Sequence, residues 1–194
     1  MNDELPQQYG KGGFVIALAI VGALTVCFAL LIKSGMAPPI GAPTASAQIG
    51  KEFPPIEAAG WINGDAPSAE DLRGHVLVVD AWAFWCGPCR ISAKELVGVY
   101  GKYKDRGVTF IGLTSEGEDA VTIRKSQQYV MSLNIPWLNG YAAIKTLLAL
   151  DVEGIPQLWV VDRQNRIVYR EIGWSDNSVR DLETALNKAL ESSE

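Results

Sequence analysis

The longest apolar segment of the chain covers residues 14–32, which are 19 residues without a charge. At ~1.5 Å per residue, a helix of this length would span roughly 28 Å, close to the ~30 Å hydrocarbon core of a bilayer. A surface helix of a soluble domain would keep a polar stripe, which this segment lacks. The pattern predicts a single N-terminal transmembrane helix, preceded by a short tail of residues 1–13.

A cleaved signal peptide is the main alternative to this anchor. Ala45-Ser46-Ala47 fits the small-residue cleavage pattern, but it ends 15 residues past Ile32. The apolar run is also longer than the ~7–15 residues of a signal-peptide core. Both observations favour an uncleaved anchor. The positive-inside rule does not decide which way this anchor crosses the membrane, because Lys11 and Lys33 lie on opposite sides of the apolar run.

A stretch rich in proline, glycine and alanine follows at residues 33–49 and shows no hydrophobic period. It is typical of a linker, and a flexible coil of this length would span about 20–24 Å. The rest of the chain, 50–194, is expected to form one folded domain.

That domain alternates strand and helix patterns. Nearly continuous apolar runs predict buried strands at 75–84 and 108–114. Two further runs around a polar turn predict a hairpin. The Asn63-Gly64 pair predicts a second, N-terminal hairpin. The hairpin around the polar turn has its strands at 157–162 and 167–172. Helices are predicted at 86–104, 119–133 and 141–150, and a last one begins at Ser178. This order predicts an α/β fold, a mixed central sheet with helices on both faces.

The charge pattern argues against nucleic acid as a partner. The formal net charge is −5, and residues 50–194 alone carry 15 basic and 20 acidic side chains. A nucleic-acid-binding domain would show a basic face. The acidity instead fits an ordinary soluble surface.

Three cysteines are present: Cys27, Cys86 and Cys89. A disulfide-stapled scaffold would carry more, and a zinc site needs about four ligands, whereas His75 is the only histidine. We therefore predict no metal and no cofactor beyond a redox-active disulfide. Cys27 is expected to be a small apolar residue of the anchor, so Cys86 and Cys89 require explanation as a pair.

The spacing of this pair favours thiol–disulfide exchange. The reacting species is a thiolate, and a helix beginning near Cys86 would stabilise one through its unpaired N–H groups and dipole. Two intervening residues on a helical turn put the sulfurs within bonding reach. Cys86 is the predicted nucleophile, and Cys89, one turn further in, is the predicted resolving thiol.

Neighbouring residues supply the other predicted parts of the site. Asp80 lies in an apolar strand, where burial should raise its pKa and fit it to accept the Cys89 proton, directly or through water. The alternative is a strand-end aspartate turned to solvent. Pro88 suits the first helical turn, Gly87 leaves room for a partner chain, and Trp85 packs beside the pair or braces that partner.

Residues 79–89 resemble the active-site segment of thioredoxin, including the aspartate six residues before the first cysteine. Gly154-Ile155-Pro156 matches the cis-proline loop of the same family. The resemblance implies the thioredoxin fold, a cis Pro156 facing the cysteine pair, and an Ile155 backbone that binds substrate chains. From local physics alone, Pro156 would be a strand start or a turn.

The anchor, residues 50–55, residues 72–76 and the extra segment near 134–151 resemble the membrane-anchored TlpA-like branch, which includes ResA-like proteins. That branch implies a periplasmic or otherwise extracytoplasmic domain held at the inner membrane. It also implies a transmembrane thiol electron donor of the DsbD or CcdA kind. Asp80, Ser92 and Lys94 depart from the pattern of the branch, and Ser92 weakens the link to haem maturation.

The predicted function is reduction of disulfides in extracytoplasmic proteins by the Cys86–Cys89 pair. A disulfide oxidase or isomerase of the same fold is an alternative, although Gly87-Pro88 resembles the reducing members. A non-enzymatic, membrane-tethered thiol-binding module is another alternative. A peroxidase is disfavoured, because Ala83 stands where a peroxiredoxin would carry threonine.

Overall fold

The computed structural model describes residues 48–192. The predicted anchor at 14–32, the tail before it and most of the linker lie outside the described residues. Within 48–192, we find no helix that combines the length and the apolar character needed to cross a bilayer.

Six strands form one mixed sheet: β1 (Gly60–Ile62), β2 (Val76–Ala81), β3 (Val108–Leu113), β4 (Leu138–Tyr141), β5 (Gln157–Val161) and β6 (Ile167–Ile172). Their order across the sheet is β1-β4-β3-β2-β5-β6. The pairs β2–β3 and β3–β4 are parallel, and the pairs β1–β4, β2–β5 and β5–β6 are antiparallel. The predicted mixed sheet is therefore confirmed.

Helices cover both faces of this sheet. The helices are α1 (Ala69–Leu72), α2 (Gly87–Tyr103), α3 (Ala120–Ser132), α4 (Ile144–Ala149) and α5 (Ser178–Glu191), with a 3₁₀ turn at Lys104–Arg106. Side chains of α2, α3 and α5 share one core cluster with one face of the sheet. Side chains of α1 and α4 pack in a second cluster on the other face.

The central position of β2 follows from its sequence. All six of its residues are buried, as expected for a strand covered on both faces. Val76 and Val78 face the cluster that contains the cysteines, while Leu77 and Val79 face the other cluster. Because side chains alternate along a strand, Asp80 points to the same face as Val78, toward the cysteines.

The predicted N-terminal hairpin is wrong. Asn63 and Gly64 do turn the chain, with positive φ angles of 73° and 149°. However, β1 pairs with the distant strand β4 and not with a strand directly after the turn. The reason is that the Asn63 side chain donates hydrogen bonds to the carbonyls of Ile135 and Trp137, at 2.7 and 3.0 Å. The turn residue thereby ties the chain to the approach to β4.

The predicted helix at 141–150 begins too early. Tyr141 belongs to β4, where it pairs with Gly60, and Ala142 turns the chain with a φ of 50°. The backbone N–H of Ala143 donates to the Thr114 carbonyl at 2.9 Å, which fixes this turn beside the end of β3. Tyr141 is thus part of a strand and Ala142 part of a turn, so that only Ile144–Ala149 form α4.

Candidate active site

Cys86 and Cys89 lie at the start of α2 and form a disulfide with an S–S distance of 2.02 Å. Cys86 is the N-cap residue, and its Sγ accepts a hydrogen bond from the backbone N–H of Cys89 at 3.2 Å. Cys86 is 5% exposed and Cys89 is 1% exposed. The sulfur of Cys86 therefore sits where unpaired helix N–H groups stabilise negative charge.

The surface around the pair is formed by the residues on either side of Cys86. Trp85 is 64% exposed, and its indole N–H donates to Glu116 at 2.8 Å. Gly87 and Pro88 are also exposed, and nothing lies within 4 Å of the position that a Cβ on Gly87 would take. This side of the disulfide is open to another chain.

The loop before β5 faces the same sulfur. The Ile155–Pro156 peptide bond is cis, as the family resemblance implied. The carbonyl oxygen of Ile155 lies 3.8 Å from Cys86 Sγ. The structure therefore brings together two segments that are far apart in sequence, the cysteine turn and the cis-proline loop.

Asp80 is buried in β2, with 5% of its surface exposed, and its Oδ1 has no hydrogen-bond partner. Burial raises the pKa of this carboxyl to about 7, because the charged form loses its hydration. The alternative of an aspartate turned to solvent is wrong.

Tyr129 on α3 also belongs to the site, although the sequence analysis did not identify it. Its hydroxyl donates to the carbonyl of Cys89 at 2.8 Å, and its ring stacks on Trp82 with centroids 4.5 Å apart. Burial, and next the charge of Asp80, raise the pKa of Tyr129, while Arg90 opposes them. No motif could have pointed to Tyr129, because it lies 40 residues from Cys89 along the chain.

Glu116, in the loop after β3, is a second residue that the sequence analysis did not place in the site. Its side chain holds the exposed indole of Trp85. Its backbone carbonyl accepts from the N–H of Ala142 at 2.7 Å, so the loop itself is fixed. Among the described residues, no group of three or more histidine, cysteine or acidic side chains could hold a metal ion.

Residues 48–186 match the Redoxin family. The chain belongs to this family. The thiol:disulfide interchange protein HelX of Rhodobacter capsulatus is 32% identical over 139 residues, which cover 70% of this chain and 73% of HelX. The thiol-disulfide oxidoreductase ResA of Bacillus anthracis is 28% identical over 141 residues, which cover 73% of this chain and 78% of ResA.

Solved structures give the same fold. The crystal structure of a DsbE-type thiol:disulfide interchange protein from Chlorobium tepidum superposes with a TM-score of 0.64 at 22% identity, covering 73% of this chain and 97% of that chain. The fold is therefore the thioredoxin-like α/β fold. Together with the relatives and the bonded cysteine pair, it makes this Redoxin family member a thiol–disulfide oxidoreductase.

Proposed function

We propose that this oxidoreductase works as a reductase of disulfides in extracytoplasmic proteins. The observation that carries the proposal is the position of Cys86 Sγ, which caps α2 and faces the Ile155 carbonyl at 3.8 Å. A substrate chain lying along the loop would present its disulfide to this sulfur. Gly87 and Pro88 between the cysteines support the reducing direction through their resemblance to the reducing thioredoxins.

In the first step, the Cys86 thiolate attacks one sulfur of the substrate disulfide. A new S–S bond joins Cys86 to the substrate, the substrate's own S–S bond breaks, and its second sulfur leaves as a thiolate that takes up a proton. The Cys89 N–H and the start of α2 stabilise the attacking thiolate. Cys86 is thus the nucleophile of the pair.

In the second step, Cys89 resolves the mixed disulfide. Its thiol passes a proton to the Asp80 carboxylate, and the resulting thiolate attacks Cys86 Sγ, so that the substrate leaves as a second thiolate. The protein gains the Cys86–Cys89 disulfide, and the substrate gains the two electrons. A carboxyl with a pKa of about 7 suits this transfer, because it is close to the working pH.

Substrate binding is assigned to the exposed side chains and backbone around the pair. Trp85 offers an apolar face held in place by Glu116, and Gly87 and Pro88 allow close approach. The backbone of Ile155 offers hydrogen bonds to an extended chain, and Pro156 orients that backbone. The proposed substrate is therefore a protein segment with an accessible disulfide.

The location and the electron supply rest on the sequence. The apolar run at 14–32 is proposed to anchor the chain in the inner membrane, with the oxidoreductase domain on the periplasmic or extracytoplasmic side. A transmembrane thiol carrier of the DsbD or CcdA kind would return two electrons to the disulfide after each cycle. No further cofactor is proposed.

Reduction of insulin disulfides by the full chain in mild detergent tests the catalytic proposal. Wild-type protein should accelerate the reaction with a dithiol donor, and Cys86→Ser should abolish the acceleration. Equal rates for the two proteins would show that the chain is not a reductase of this type. Thiol trapping in cells adds the direction of electron flow, since a reductase should be found mainly as the dithiol.

Reporter fusions after residue 50 test the location separately. An alkaline phosphatase fusion should be active and a fluorescent-protein fusion dark if the domain lies outside the cytoplasm. The opposite pattern would overturn both the location and the proposed electron donor, but it would leave the thiol chemistry intact.

A further inference from the structure

Three buried polar atoms without hydrogen-bond partners lie on the cysteine face of the sheet: Asp80 Oδ1, Trp82 Nε1 and Asn139 Oδ1. Their residues are 5%, 3% and 1% exposed, respectively. A buried donor or acceptor left unpaired costs about 1–3 kcal/mol, so natural proteins rarely keep one. Three in one neighbourhood indicate a shared polar site.

The strand register explains why the three atoms meet. Asp80 pairs with Gly112, and Gly112 pairs with Asn139, so the three residues form a row across β2, β3 and β4. Side chains of paired residues point to the same face. Because Gly112 in the middle of this row has no side chain, the Asn139 side chain has room to lie over β3.

Asn139 Oδ1 occupies the space over Gly112, and Trp82 Nε1 lies beside it. A Cβ built on Gly112 would lie 2.0 Å from Asn139 Oδ1 and 2.7 Å from Trp82 Nε1. The Asn139 amide therefore leans over Gly112 toward Asp80, and the indole N–H of Trp82 reaches the same space. Since neighbouring strands are ~4.8 Å apart, the Asp80 side chain on β2 starts about one strand spacing from this oxygen, a separation that a single water can bridge.

We propose that Asn139 is a positioning residue for the resolving step, whose amide oxygen accepts a hydrogen bond from protonated Asp80 through one water that the Trp82 N–H also binds. This inference rests on the proposed function, in which Asp80 takes the Cys89 proton. The water has three polar partners, which is the usual number for a buried water. Asn139 thereby holds the proton on Asp80 until it is returned.

The other charged and titratable groups around this site come from two helices. α2 contributes Arg90 and the cysteine pair, and α3 contributes Tyr129. Burial and then the charge of Asp80 raise the pKa of Tyr129, and Arg90 lowers it. From the neighbouring strands, Leu158 of β5 is apolar and Gly112 of β3 has no side chain. Asn139 is consequently the polar partner that the sheet itself offers to Asp80.

The pH dependence of mixed-disulfide resolution tests the inference. Asn139→Asp adds a second carboxyl to the site, and like charges that share a buried site raise one of the two pKa values. The midpoint of the pH profile should rise by about one unit. Asn139→Ala should slow resolution about tenfold, part of what general acid–base catalysis supplies, and should leave mixed-disulfide formation unchanged.

Asn177→Asp is the matched control, because it adds the same charge at an exposed position before α5. It should leave the midpoint where it is. In an Asp80→Asn background, neither Asn139 variant should shift the profile further. Unchanged profiles for both Asn139 variants would overturn the inference, and if wild type still reduces insulin, the proposed function survives.

A measurement on the wild-type protein guards against variants that fail to fold. The side-chain NH₂ resonances of Asn139 should titrate in NMR spectra of the full chain with the same midpoint as the Asp80 carboxyl. Resonances that do not move through that midpoint would overturn the inference without any substitution.

Discussion

At the scale of the residue, Asp80 links stability to pH. Its carboxyl has a pKa of about 7 in the fold, against an ordinary value of 3.8. The fold therefore favours the protonated form, and the contribution of this group is fully present below about pH 4 and is lost as pH rises through about 7. Ionising Asp80 costs up to ~4 kcal/mol of folding free energy.

Asp80→Asn should remove this dependence. We expect the free energy of unfolding of the oxidised wild type, measured relative to the variant in urea, to fall by a few kcal/mol between pH 4.5 and 8. Groups other than Asp80 cancel in that difference. A difference that stays constant with pH would show that Asp80 titrates near its ordinary pKa.

The same variant should separate the two chemical steps. Because the amide cannot accept the Cys89 proton, Asp80→Asn should slow resolution of the mixed disulfide by about 10²-fold or more at pH 7. Formation of the mixed disulfide should change much less. Stopped-flow measurement of the two steps checks this, and equal slowing of both would remove Asp80 from the proton-transfer role.

Glu116 should act on substrate affinity through Trp85. Glu116→Ala removes the hydrogen bond that holds the exposed indole, which is worth about 1 kcal/mol or roughly a fivefold change. We expect KM for a protein disulfide to rise by that factor, with kcat nearly unchanged. Glu118→Ala, an exposed neighbour in the same loop, is the control and should leave KM unaltered.

At the scale of the element, α5 stabilises the face that carries the cysteines. Leu182 is fully buried in the same core cluster as Cys89. Leu182→Ala should lower the free energy of unfolding by about 2–5 kcal/mol, from lost burial and the cavity left behind. Leu148→Ala on α4, where the side chain is 74% exposed, should change it by less than ~0.5 kcal/mol. Urea unfolding of the two variants at one pH measures the contrast.

The elements that the sequence predicted are those whose own residues determine them. β2 is apolar except for Asp80, β6 follows a polar turn, and α5 repeats leucine on one face, so each is evident locally. β1 and β4 have three and four residues and exist because of their pairing, β1 with β4 and β4 also with β3. A segment that short gives no periodic pattern, so the Asn63-Gly64 pair predicts a local hairpin although β1 pairs with the distant β4.

The candidate site also contains some residues that the sequence predicts and others that only the tertiary structure brings together. Cys86, Cys89 and Asp80 lie within one strand–turn–helix segment, so their spacing predicts their proximity. Tyr129 and Asn139 reach the site only because α3 and β4 pack beside that segment. Their contribution is a tertiary contact that leaves no mark in the sequence pattern.

At the scale of the whole molecule, Gln48 joins the predicted linker to the core of the fold. This residue is 8% exposed. Its side-chain oxygen accepts from the indole N–H of Trp159 at 3.0 Å, and its amide donates to the Leu150 carbonyl at 2.5 Å. A residue at the end of the predicted linker is thus bonded to the central part of the fold.

Gln48→Ala should destabilise the domain by about 1–3 kcal/mol, because the buried indole N–H of Trp159 loses its acceptor. Gln128→Ala at an exposed position of α3 is the matched control and should be nearly neutral. Thermal unfolding of both variants measures the effect. Equal melting temperatures would mean that Trp159 finds another acceptor.

The pairing of β1 with β4 also sets the order in which the nascent chain can complete its sheet. β1 is synthesised first but must wait for β2, α2, β3 and α3 before its partner strand exists. Contacts between such distant segments form late, since the intervening loop must close first. Until β4 has been synthesised, the backbone N–H and C=O groups of β1 therefore have no partner strand and stay open to pairing with other chains.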